Sequence, residues 1–147
     1  MLNSEEKNLT NIESFTRNVF IIWKDEYNLG IPIIDEQHRG IVTIINSLHF
    51  GISNNYISDM LVPIIDTIYN YTDIHFRIEE DCLAKNNYPN VKGHHELHEV
   101  LTVTLTNIGK SSAYYKDPYQ FLDFLKKWWI NHIREEDLIY RNYLIPQ

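Results

Sequence analysis

Seven histidines are spread along the chain: His38, His49, His75, His94, His95, His98 and His132. Five of them, His38, His75, His94, His98 and His132, fall where apolar residues recur at steps of three and four. That is the period of a helix face turned towards a core. A single histidine on such a face is ordinarily a core residue whose ring nitrogens find a carbonyl or a water. Five in one small domain need a common solution, because each buried polar group costs roughly 1–3 kcal/mol unless it is paired. Glu79 follows His75 by four residues and so shares its helix face. His132 is followed by the acidic run Glu135-Glu136-Asp137. Five imidazoles and two carboxylates in one buried layer form a metal site, most naturally for two metals bridged by the carboxylates.

Four helical stripes must position these residues. The first contains Ile34, His38, Ile41, Ile45, Leu48 and Ile52 and ends in Gly51 and Ser53-Asn54-Asn55. The second contains Ile64, Ile68, Tyr71, His75, Glu79 (or Ile78) and Cys82. Its start is open around Pro63, a residue tolerated only in a first turn or at a kink, and Asn86-Asn87-Tyr88-Pro89 ends it. The third contains Val91, His94, His98, Leu101, Leu105 and Ile108, with Gly109 as its stop. The fourth opens on Asp117-Pro118, an N-cap followed by proline, and contains Phe121, Leu125, Trp128, His132 and Ile139. Pro146 lies just past its end. The expected fold is all-α, an antiparallel up-down-up-down four-helix bundle with an N-terminal arm and loop. Residues 1–18 are the expected flexible arm and 19–147 the bundle domain, with 19–33 an ordered loop packed on it. In that topology the five stripe histidines converge on one end of the core.

The other candidates take blander roles. His49 is off its stripe and expected in solvent, and His95 is a bystander beside His94. Cys82 reads as a small buried hydrophobe. The segment His94-His95-Glu96-Leu97-His98 has its glutamate in the wrong place for a zincin, and no histidine has Glu three residues before it, as ferritin-like di-iron sites require. A lone cysteine excludes a disulfide framework or a Cys-rich zinc module. The net charge of -7 leaves nothing to neutralise a phosphate backbone, so nucleic acid is not an expected partner. No apolar run reaches the ~18 residues of a membrane span. A soluble cytoplasmic protein without a membrane partner is expected.

The motifs resemble the hemerythrin family, specifically its single-domain bacterial type, from Trp23 to Tyr143. Trp23…Gly30-Ile31…Ile34-Asp35-Glu36-Gln37-His38 is similar to the family's opening motif. His75-Phe76-Arg77-Ile78-Glu79 is similar to its His-x-x-x-Glu, and Tyr88-Pro89…His94…His98 to its third-helix pair. Trp128-Trp129-Ile130-Asn131-His132…Asp137 is similar to its fourth-helix motif. The resemblance implies reversible O2 binding at two non-haem iron ions joined by an oxo or hydroxo bridge. It implies His94, His98 and His132 on one iron, His38 and His75 on the other, and Glu79 and Asp137 bridging both. Ile41, Phe76 and Ile133, each next to or one turn from a ligand, would wall the O2 pocket. Trp129 stands where the family usually has leucine, and if turned inward would narrow that pocket.

Spacing alone chooses differently at one position. Asp137 is five residues after His132, about 140° around an ideal helix, whereas Glu136 is at i+4. Only the resemblance selects Asp137, and a local π-bulge is predicted to reconcile the two. The leading functional expectation is an O2 carrier, store or scavenger rather than an enzyme. The alternatives are an oxygen- or iron-sensing module that signals to a partner, and a di-iron enzyme that reduces peroxide or NO.

Overall fold

The computed structural model describes residues 19–145, so the expected arm at 1–18 lies outside the described residues. Four helical rods form the bundle. Helix α1 spans Pro32–Ser53, α2 Ile57–Lys85, and α3 Val91–Tyr115. The fourth rod is α4, Pro118–Trp128, continued by a π-helical segment, Trp129–Glu136, and by α5, Asp137–Leu144. Short connections make consecutive rods antiparallel, and α1 packs against α4 as well as α2. No strand occurs among the described residues.

The helix boundaries follow local chemistry. Pro32 and Pro118 each sit in a first turn, where the missing N–H costs no hydrogen bond. The Asp117 side chain caps α4 by accepting from the Tyr119 amide at 3.0 Å. Helix α2 starts at Ile57, so Pro63 lies inside it on the exposed side.

Gly109 is not the stop that its position suggests. Helix α3 runs past it to Tyr115 and ends on Lys116 in the left-handed region, φ 53°. A Cβ at Gly109 would lie 2.9 Å from Ile65 Cγ2, so this glycine lets α3 approach α2 closely. The π segment shifts the fourth stripe by one residue. Ile139, expected in the core, is 62% exposed, and Tyr140 is buried in its place.

The loop before α1 is packed on the bundle as expected, with a 3-10 turn at Asp25–Tyr27. Asn46 holds it, its Oδ1 accepting from the Phe20 and Ile21 amides and its Nδ2 donating to Ile21 O. Asp35 accepts from the amides of Leu29 at 2.6 Å and Gly30 at 3.0 Å. Gly30 has φ 84°, a conformation that side chains other than glycine's disfavour.

Two apolar clusters frame the polar layer. Ile41, Phe76 and Ile133 belong to the larger cluster, and Ile34, Leu83 and Tyr140 to the smaller. On each of three rods the buried polar positions fall between residues of these two clusters: His38 on α1, His75 and Glu79 on α2, and His132 and Asp137 on the fourth.

Candidate metal centre

All seven side chains expected at the centre are buried: His38, His75, Glu79, His94, His98, His132 and Asp137. They fall into two donor groups. Glu79, His94, His98 and His132 form one, and His38, His75, Glu79 and Asp137 the other. Within each group one donor atom per residue lies within 4.8 Å of all the rest. Glu79 belongs to both.

Local geometry explains the convergence. His94 and His98 are one turn apart on α3, and both turn Nε2 to Glu79 Oε2 at 3.0 Å. His132 Nε2 lies 3.2 Å from His98 Nε2. Asp137 reaches the layer because its backbone N–H bonds to His132 O, an i→i−5 hydrogen bond of the π segment. Its Oδ1 lies 3.4 Å from His132 Nε2 and 3.6 Å from His94 Nε2, while its Oδ2 lies 3.3 Å from His38 Nε2. Asp137 thus faces one donor group with each oxygen. Glu136, the residue that α-helical spacing selects, is exposed.

These donors suit a metal. Ligands about 90° apart on bonds of about 2.1 Å stand about 3 Å from each other, and several separations here are of that size. Both ring nitrogens of His38, His75 Nε2 and both oxygens of Asp137 are buried and make no hydrogen bond. His38 and Asp137 are close without being aligned for one. Burial lowers the pKa of His38 to about 4 and of His75 to about 3, against the partial opposition of Glu79. Burial likewise holds His132 well below its ordinary value. These rings are therefore neutral at pH 7, the form that binds metals. Burial opposes protonation of His94, but its hydrogen bond to Glu79 and the charges of Glu79 and Asp137 raise it overall.

The carboxylates conflict without a cation. Burial raises Glu79, but His75 and the hydrogen bonds from His94 and His98 outweigh it and hold it well below the usual range. Asp137 is driven well above that range by burial and then by the charge of Glu79. Metal ions between them would let both ionise.

Spacing did not assign a role to the outer partners. His75 Nδ1 donates to Gln37 Oε1 at 3.0 Å, and His98 Nδ1 donates to Glu80 Oε1 at 2.7 Å. The Tyr140 hydroxyl donates to Glu79 Oε1. Only the adjacency of Gln37 to His38 and of Glu80 to Glu79 hinted at the first two. Tyr140 becomes visible once the stripe is advanced by the π segment.

The expected pocket walls Ile41, Phe76, Trp129 and Ile133 are all buried in the larger cluster. Phe76 stacks on His98 with ring centroids 3.7 Å apart. Trp129 is buried beneath the loop, packing against Trp23 and Tyr27 at 5.8 and 5.5 Å. His95 lies outside both groups and is 53% exposed. His49 is half-buried rather than solvent-facing, because Phe20 of the loop stacks on it. Cys82 is also half-buried.

Comparison with known proteins agrees with this geometry. Residues 29–144 match the model of the hemerythrin HHE cation binding domain. A bacteriohemerythrin of Clostridium acetobutylicum is 36% identical over 126 residues, covering 81% of this chain and 97% of that protein. A bacteriohemerythrin of Stenotrophomonas maltophilia is 32% identical over 128 residues, covering 82% and 78%. A hemerythrin-like protein of Naegleria gruberi is 26% identical, covering 83% and 92%. A four-helix bundle that buries histidines and carboxylates in one layer, matched to that domain over most of its length, belongs to the hemerythrin family.

Proposed function

We propose that the chain binds O2 reversibly at a non-haem di-iron centre. His94, His98 and His132 would hold one iron, His38 and His75 the other, and Glu79 and Asp137 would bridge them. The observation that carries this reading is Asp137, with one oxygen towards His132 and His94 and the other towards His38, opposite a Glu79 shared by both groups. Two ferrous ions joined by an oxo or hydroxo bridge would supply the electrons and the open coordination position for O2.

The chain's own residues favour binding over turnover. Ile41, Phe76, Ile133 and Trp129 belong to the apolar cluster on one side of the layer, and such a lining would limit the water that drives loss of reduced oxygen. Burial and then the charges of Glu79 and Asp137 drive the Tyr140 hydroxyl far above its ordinary pKa. It therefore keeps its proton and serves as a hydrogen-bond donor to Glu79. Among the described residues no helix is long and apolar enough to cross a membrane. The reading is of a cytoplasmic carrier, store or scavenger.

An oxygen electrode tests it. Protein loaded anaerobically with ferrous iron should take up one O2 per chain and return it under argon. Irreversible consumption would overturn reversible binding, and steady turnover of peroxide or NO with an added electron donor would instead make it an enzyme.

A further inference from the structure

Glu80 belongs to neither donor group, yet its carboxylate ties the centre to the surface. Its Oε1 accepts from Nδ1 of His98, 2% exposed, at 2.7 Å. Its Oε2 accepts from Nδ1 of His95, 53% exposed, at 2.8 Å. Glu99 Oε1 lies 3.5 Å beyond, at the other ring nitrogen of His95. His75 has the corresponding arrangement with a neutral acceptor, the Gln37 amide oxygen at 3.0 Å. A carboxylate therefore stands behind one histidine of the centre and an amide behind another.

The difference is chemical. An imidazole that donates its far N–H to a carboxylate is fixed in tautomer and orientation and becomes a more basic ligand. Hydrogen bonds to an ionised acceptor are roughly twice as strong as neutral ones. We propose that Glu80 is a positioning residue for His98, and that its negative charge, shared with His95, makes the three-histidine side the more electron-rich side of the centre. This rests on the di-iron reading above. The greater ligand basicity favours the ferric state there and lowers the reduction potential of the centre.

Three variants separate hold from charge. Glu80→Leu removes both, and iron affinity should fall about 10–100-fold. Glu80→Gln keeps an acceptor of the kind Gln37 offers His75, so iron should be retained while the midpoint potential rises. His95→Ala leaves the Glu80 charge less shared and should move the potential the opposite way. Cooperative melting of each metal-free variant controls for folding. Wild-type iron affinity in Glu80→Leu would overturn the proposal. So would an unchanged potential in Glu80→Gln, or shifts of the same sign in Glu80→Gln and His95→Ala. If the wild-type protein itself fails to bind iron as a pair, the di-iron reading falls. Zinc affinity of the metal-free chain then still tests the hold on His98. A loss of about 10-fold in Glu80→Leu supports the hold, and an unchanged value overturns it.

Discussion

The backbone N–H of Asp137 donates to the carbonyl oxygen of His132, five residues back. In a straight α-helix these two side chains would point about 140° apart. The wider turn instead brings Asp137 Oδ1 to 3.4 Å from His132 Nε2. One rod can therefore give the centre both a histidine and a carboxylate, while Glu136 stays outside.

Asp137→Ala should abolish paired iron binding, whereas Glu136→Ala should leave iron content at the wild-type level. Metal analysis after gel filtration distinguishes them. The reverse pattern would transfer the bridging role to Glu136.

The metal-free protein should lose stability in mild acid. His38 titrates near 4 and His75 near 3 in the folded chain, against 6.5 for an unperturbed histidine. Below pH 6.5 the unfolded chain binds more protons, so the contribution is complete above 6.5 and lost as pH falls towards the folded values. In full, His38 contributes about 3 kcal/mol and His75 about 5 kcal/mol. His94 and Asp137, whose pKa values are raised, oppose them: their contributions are present in acid and lost as pH rises. Glu79, held low, adds to the loss in acid. Urea unfolding of metal-free protein between pH 7.5 and 4.5 reads the balance, and stability that does not fall across that range would contradict it.

Trp129→Leu should open space beneath the loop, where the indole packs on Trp23 and Tyr27. The expected loss of stability is about 2 kcal/mol. Azide and O2 association by stopped flow should accelerate. Identical rates would mean that Trp129 does not narrow the path to the centre.

Asp35→Ala should detach the loop from α1 without emptying the centre. The Leu29 and Gly30 amides would lose their shared acceptor, at a cost of about 1–3 kcal/mol each where burial persists. Denaturant midpoints and iron content measured together check this. A fall in iron content with an unchanged midpoint would assign Asp35 to the centre instead.

Much of this architecture is legible in the spacing of single residues. His38, His75, His94, His98 and His132 announce themselves because a polar side chain on an apolar stripe demands a partner. The fourth rod was harder to read. An α period carried forward from His132 selects Glu136 and Ile139, and both are exposed, because one added residue in the π segment turns Asp137 and Tyr140 inward. Gly109 misled for another reason. A glycine that ends a helix and one that admits a neighbouring helix look alike in sequence, and only the nearness of Ile65 tells them apart. Gln37 and Glu80 carry no signal beyond their adjacency to His38 and Glu79, because their partners are 38 and 18 residues away and lie on other helices.

The visible spectrum during anaerobic ferrous titration tests the central claim most directly. The account predicts a band that appears on admitting air, disappears under argon, and grows until two irons are bound per chain, one for each donor group. Two bound irons with no spectral change on oxygenation would contradict it.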